Sequence, residues 1–248
     1  MIERKFYSMS SRTDNRAADA LRPVSIERDV AKNAYGSAYI RCGDTHVLCT
    51  ATVEDSVPGW RKMSGLGWVT AEYAMLPTAT SERTRRERNG AKGRTLEIER
   101  LIGRSLRTVV DLGALGGEVT VTVDCDVIQA DGGTRTASIT GAYIALHDAL
   151  RTWKEAGMIA RMPLTGQVAA ISVGLVDGEA LLDLDYEEDS HAEVDMNVVC
   201  DDQGNFIELQ GTGERVSFSR HQLNGFLNLA EGGIKELMAI QKAVLASE

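Results

Sequence analysis

The sequence predicts an α/β fold of the α+β kind, in which mixed β-sheets carry helices packed against them. Three observations support it. Strand-like runs outnumber helical ones, and several are joined by short turns as in hairpins. Three long stretches have the apolar spacing of helices that lie on a sheet. No Pro/Gly/Ser-rich linker or abrupt change of composition divides the 248 residues, which predicts a single domain over 1–248, with residues 1–12 as a flexible extension.

In chain order, Ser37–Cys42 and Thr45–Val53 read as two strands around a Gly43-Asp44 turn. Trp68–Tyr73 is a further short strand, and residues 77–93, rich in turn formers and charge, read as a loop. Thr95–Asp111 is a helix, with Ile98, Leu101, Ile102, Leu106 and Val109 on one face and Gly113 as its stop. Glu118–Ala130 alternates as a strand and is broken by Asp131-Gly132-Gly133. Thr134–Glu155 is helical, with a stripe of Ala137, Gly141, Ala145 and Ala149 smooth enough to approach a sheet closely. Val168–Val176 and Glu179–Asp185 form one hairpin, and Val194–Val199 and Phe206–Gln210 another. From about Ser219 a long amphipathic helix presents Leu223, Phe226, Leu227, Ala230, Ile234, Leu237, Met238 and Gln241.

Composition limits the functional classes. The formal net charge is −9, which argues against binding nucleic acid through overall charge but not through a local basic cluster. Cys42, Cys49, Cys125 and Cys200 form no C-x-x-C pair and read as reduced core thiols of a cytoplasmic protein. Met1–Arg12 has no apolar core, so it does not read as a signal peptide. No apolar run approaches the roughly 20 residues needed to span a bilayer.

Four clusters carry chemistry. Asp131-Gly132-Gly133-Thr134-Arg135-Thr136 joins a strand to a helix. The first N–H groups of a helix lack internal partners and its dipole makes that end positive. Glycines admit an anion, a hydroxyl adds a donor and a guanidinium adds fixed charge, so these parts suit phosphate; an ordinary turn with a Thr N-cap is the plainer alternative. Gly93-Arg94-Thr95 repeats the arrangement. The third cluster is acidic: Asp183, Asp185, Glu187, Glu188, Asp189, Glu193 and Asp195, with His191 inside it. A pair such as Asp189 and Asp195 could bind Mg²⁺ and supply a proton, while His191 reads as a lone exposed side chain. The fourth is basic: Arg83, Arg85, Arg86, Arg88, Lys92 and Arg94 could grip an RNA backbone, or form a solvated loop.

These residues lie in motifs that resemble the bacterial ribonuclease PH family. The motifs are Arg22-Pro23-Val24, Gly43-Asp44-Thr45, Gly67–Tyr73 with Met75-Leu76-Pro77, Gly93-Arg94-Thr95, Asp124–Val127 with Gln129–Gly141, Glu188-Asp189-Ser190 with Asp195–Val199, and Gln210-Gly211-Thr212. The resemblance implies the ribonuclease PH domain, related to domain 2 of ribosomal protein S5. It implies a cytoplasmic homohexamer, a trimer of dimers, that removes nucleotides from the 3′ ends of tRNA precursors and other RNA. Inorganic phosphate would be the co-substrate and Mg²⁺ or Mn²⁺ the metal. It further implies phosphate binding by Arg94, Gly133, Thr134 and Arg135, and proton-donor and metal-ligand roles for Asp189 and Asp195. RNA binding would fall to Arg83, Arg85, Arg86 and Lys92; Thr78 stands where some members carry Arg. Asn197 stands where polynucleotide phosphorylases carry Lys. A catalytically silent RNA-binding ring subunit and a hydrolytic metal-dependent nuclease are the competing functional classes.

Overall fold

The computed structural model describes residue 12, residues 14–87 and residues 90–247. The rest of the 1–12 segment lies outside the described residues, as does Arg88 of the basic loop.

The described residues form nine strands, four α-helices and two 3-10 turns. Strands β1 (Val24–Arg28), β2 (Gly36–Cys42), β3 (Thr45–Glu54), β4 (Trp68–Met75) and β5 (Thr120–Gln129) build one sheet in the order β1-β2-β3-β5-β4. All its neighbours are antiparallel except β4 and β5, which run parallel because helix α1 (Arg94–Thr108) crosses between them. Strands β6 (Val168–Val176), β7 (Glu179–Leu182), β8 (Val194–Asp201) and β9 (Phe206–Gly213) make an antiparallel sheet in the order β7-β6-β8-β9.

Helix α2 (Thr134–Glu155) lies between the sheets and is buried almost all round. Its small-residue stripe does what the sequence predicts. A Cβ on Gly141 would stand 2.7 Å from Ile40 Cγ2, and one on Gly36 would stand 2.2 Å from the Ala145 carbonyl oxygen. On the opposite side the Thr140 hydroxyl meets the Ala170 backbone of β6. Strand β6 is covered on its other face by α4 (Arg220–Ala246), which explains its unbroken apolar run.

The structure corrects the sequence reading at several points. Strand β1 was not expected, though Val24 and Ile26 alternate correctly for it. Helix α1 starts one residue earlier, at Arg94, and ends at Thr108. Beyond Thr108 the buried, β-branched Val109 and Val110 leave the helix, and Val110 bridges Leu164. Gly113 lies in a 3-10 turn over Leu112–Leu115 and does not stop the helix. Strand β7 ends at Leu182 because Asp183 takes the left-handed conformation at φ 55°. Helix α3 (Tyr186–His191) then occupies the acidic segment, which the sequence reading left without a helix.

The junction of β7 and α3 is fastened to the start of α2 by buried charge. Arg22 Nη2 donates to Asp183 Oδ1 at 2.7 Å, and Arg22 also donates to the Asp131 carbonyl. Arg12 donates to both carboxylate oxygens of Glu188, at 2.7 and 2.8 Å. Gly132 is pressed against the same junction: a Cβ there would lie 2.5 Å from the Asp185 carbonyl carbon, and its φ is 72°. Breaking a buried pair from one side leaves the other charge uncompensated, at a cost of about 3–5 kcal/mol. Asp183→Asn should therefore lower the melting temperature by about 10 °C in a chain of this size. Loss of the exposed Lys235–Glu231 pair should barely move it. Equal shifts for the two variants would contradict this role for Arg22 and Asp183.

Candidate active site

Helices α1 and α2 both begin on glycine, and neither start carries a side-chain cap. Gly93 has φ 46° and ψ −111°; Gly133 has φ 65° and ψ 23°. Both conformations favour glycine. By contrast α3 and α4 are closed by complete capping boxes, Asp185 with Glu188 and Ser219 with Gln222. The two uncapped starts are thus the ones the sequence marks for phosphate. Thr134 does not serve as N-cap. It is the first helical residue, and its hydroxyl accepts from Tyr73 Oη at 2.9 Å.

Arg94 is exposed at the start of α1, and its side chain has no hydrogen bond or ion pair among the described residues. Arg135 is mostly buried. Its Nη1 donates to Gln210 Oε1 and lies 3.7 Å from Glu97 Oε1, while the Gln210 amide nitrogen donates to that same carboxylate. One edge of the guanidinium is thereby fixed between α1 and β9.

Arg94 and Arg135 lie close enough to Asp189 and Asp195 to act on their charge. Burial pushes the Asp195 carboxyl up to about 6; Asp189, as a nearby like charge, adds to this, and Arg135 and Arg94 oppose it. Asp189 is also raised, chiefly by burial of its carboxyl, although Arg94 and Arg135 pull it down. The Asp189 residue as a whole stays exposed in α3. Tyr73 is raised by burial, and the same two guanidinium groups act on it. Glu214, just after β9, pushes both aspartates up.

The acidic cluster sorts into different duties. Asp183 pairs with Arg22, Asp185 caps α3, and Glu188 completes that cap and binds Arg12. His191 Nδ1 faces the Glu187 carbonyl oxygen at 2.9 Å, on the exposed side of α3. Asp189 and Asp195 are the members on whose charge Arg94 and Arg135 act. Among the described residues no group of three or more His, Cys, Asp or Glu is placed to hold a metal ion.

In the loop before α1, Arg83, Arg85, Arg86 and Lys92 are exposed. Among the described residues, none of the four forms a side-chain ion pair. Glu87 ties the loop to α1 by accepting from the Lys92 backbone N–H at 3.0 Å and from the Thr95 hydroxyl at 3.3 Å. Thr78 is exposed in the same segment.

Sequence reasoning assigned no site role to Tyr73, Glu97, Gln210 or Glu214. Period-two alternation puts Asp195 and Asn197 on one face of β8 and their cross-strand partners Thr212 and Gln210 beside them on β9. That pattern was available, but the approach of α1 to β9 was not.

Comparison with known proteins places the chain in a family. The description "3′ exoribonuclease family, domain 1" matches residues 20–151, and "3′ exoribonuclease family, domain 2" matches residues 166–233. The chain is 58% identical over 240 residues to a protein named Ribonuclease PH from Corynebacterium glutamicum (strain R), covering 96% of this chain and 98% of that one. It is also 58% identical over 237 residues to a Ribonuclease PH from Corynebacterium efficiens, covering 95% of this chain and 96% of that one. Among solved structures, an Archaeoglobus fulgidus exosome with RNA bound to the active site matches with a TM-score of 0.80 at 22% identity, over 93% of this chain and 92% of that one. Rice (Oryza sativa) Rrp46 matches with a TM-score of 0.75 at 21% identity, over 94% of this chain and 100% of that one. The two solved structures establish likeness of fold; the sequence matches establish that this chain belongs to the 3′ exoribonuclease family, as a ribonuclease PH-type member.

Proposed function

We propose that this chain is a phosphate-dependent 3′→5′ exoribonuclease that trims the 3′ ends of tRNA precursors and other RNA. One observation supports the reading: the two helix starts without a side-chain cap carry Arg94 and Arg135, and both guanidinium groups act on the charge of Asp189 and Asp195. Fixed cations and open backbone N–H groups suit an inorganic phosphate dianion. The adjacent raised carboxyls suit proton transfer.

In this reading, Arg94, Arg135 and the N–H groups from Gly133 and Thr134 onward hold phosphate in line with the last phosphodiester. A phosphate oxygen forms a bond to the terminal phosphorus as the bond to the preceding 3′-oxygen breaks. Asp189 gives that oxygen its proton, and the terminal nucleotide leaves as a nucleoside 5′-diphosphate. Positioning and charge neutralisation supply most of the rate, as is general for phosphoryl transfer. Because one phosphoric linkage replaces another, the step also runs backwards as nucleotide addition.

The Asp189–Asp195 pair fits Mg²⁺ or Mn²⁺. Such ions are commonly held by one or two carboxylates together with water and substrate phosphate, and a cation relieves the repulsion that helps raise Asp195. Bound there, the metal would supply charge neutralisation at the scissile phosphate. Arg83, Arg85, Arg86 and Lys92, exposed and without ion pairs among the described residues, are proposed to contact RNA phosphates.

The chain is read as one domain over 1–248, because α2 belongs to the cores of both sheets. It is read as a cytoplasmic homohexamer, a trimer of dimers. The exposed Phe206 and Leu209 on edge strand β9 offer apolar surface for such an assembly. No described helix is long and apolar enough to cross a membrane, and the four cysteines are free thiols.

RNA with a 3′ tail, incubated with and without phosphate, tests the function. Nucleoside diphosphates should form only when phosphate is present, and Arg135→Ala should reduce their formation by at least about 100-fold. Monophosphates without phosphate would mean hydrolysis, and no product would mean a silent ring subunit.

The acid pair gives a second test. Asp195 sits near 6 when folded and at 3.8 otherwise. A raised carboxyl destabilises the fold above the folded value, and the penalty fades as pH falls toward the unfolded one. With chelator present, Asp195→Asn should melt a few degrees above the wild type at pH 8 and lose that advantage near pH 4. Identical melting curves at both pH values would show that Asp195 is not a buried charge.

A further inference from the structure

The loop between β3 and β4 carries a cluster that the anion site does not use. Trp60 is 67% exposed and Met63 97% exposed. Trp60 and Trp68 meet edge to face, with centroids 4.8 Å apart. The Arg61 guanidinium stands over both rings, 5.8 Å from Trp60 and 5.1 Å from Trp68, and Arg107 covers Trp68 at 4.2 Å. Arg61 Nε is buried without a hydrogen-bond partner among the described residues. Arg107 donates to the Val69 carbonyl at 2.7 Å but has no carboxylate partner among those residues. Burial together with Arg104 and Arg61 lowers its pKa, the sign of cations gathered without enough counter-charge. Exposed Lys62 adds another cation. The acids nearby are exposed Glu54 and Asp55 at the loop's start and Glu118, which accepts from the Gly65 backbone N–H at 3.4 Å; among the described residues none of them pairs with Arg61 or Arg107.

A protein of net charge −9 has little reason to gather uncompensated cations around exposed indoles unless the partner is a polyanion with flat faces. Single-stranded nucleic acid has both: phosphates for arginine and bases that stack on aromatic rings or guanidinium planes. The surface also connects to the anion site. A groove of about 410 Å³ between α1 and β9 runs from Gly93 and Gln210 to Arg100 and Arg104, with Glu97 and Glu208 also on its walls; Arg104 pairs with Glu208 there, so Arg100 is its cation without an ion pair among the described residues. Arg104 is close enough to Arg107 to act on its charge. From Arg94 to Arg107 the helix rises by roughly 20 Å.

We infer that Trp60, Arg61, Trp68 and Arg107 form a second RNA contact, which stacks a base and holds phosphates of the single strand upstream of the 3′ end bound at Arg94 and Arg135. This rests on the exoribonuclease reading for the strand's direction. The contact itself asks only for single-stranded RNA. A base stacks on the open face of Trp60. Arg61, already aligned with both indoles, meets the adjoining phosphate, and the α1 groove leads the chain to the anion site.

Binding of single-stranded oligoadenylate to the intact protein, in the absence of phosphate, tests it. Trp60→Ala should weaken binding about ten-fold, the loss expected for one aromatic platform, and Trp60→Phe should restore most of it. Arg61→Ala should reduce the slope of affinity against salt by about one counterion. Oligoadenylate should quench tryptophan fluorescence in the wild type and less so in Trp60→Phe. Unchanged affinity and salt slope in all variants would overturn the proposal. So would an altered oligomer mass with RNA affinity intact, since the patch would then be a contact between copies. These outcomes are separable from the activity: a wild type that needs phosphate for trimming keeps the exoribonuclease reading even if Trp60 proves irrelevant.

Discussion

Helix α2 begins on Gly133 with no side chain over its first N–H groups, and much of the surrounding structure keeps that end in place and open. The turn before it is held from three directions. Thr45 Oγ1 accepts from the Asp131 N–H at 2.9 Å and donates to the Gly132 carbonyl at 2.6 Å. Arg22 binds the Asp131 carbonyl. Gly132 lies flat against the β7–α3 junction, where any side chain would collide. An uncapped, half-buried helix start is costly unless something polar visits it. At that start Thr134 accepts a hydrogen bond from Tyr73, on which the Arg94 and Arg135 guanidinium groups also act.

Buried charge serves two ends in this chain. Around Asp183 and Glu188 it is compensated at close range by Arg22 and Arg12, and it fastens the second sheet to the start of α2. Around Asp195 it is undercompensated: burial and Asp189 outweigh Arg135 and Arg94, leaving the carboxyl near 6. The first arrangement suits rigidity and the second suits proton transfer or cation binding. One acidic stretch of sequence contains both, and only the arginines reaching it from distant positions separate them.

That separation marks the boundary of what the sequence discloses. Elements with strong periodicity were legible: the β2–β3 hairpin, the alternating β5, the close-packing stripe of α2 and the long α4. The strand–Gly-Gly–helix junction was legible as the place where β5 ends and α2 starts. Short elements were harder. Helix α3 has only six residues, although the Asp185-x-x-Glu188 pattern is a capping box that could have revealed it. Strand β1 has only five. The partners of Arg135 were out of reach, because Glu97 and Gln210 meet it only through the packing of α1 beside β9. Tyr73 looked like an ordinary strand tyrosine until its hydroxyl was found on Thr134.

The central claim is that the starts of α1 and α2 form one anion pocket beside Asp195. A crystal structure of this protein grown with phosphate tests it most directly. The account predicts a phosphate within hydrogen-bonding reach of both guanidinium groups, Arg94 and Arg135, and of the first N–H groups of α2. A well-ordered crystal at saturating phosphate with that position empty, or with Arg94 turned away from a phosphate bound elsewhere, would contradict it.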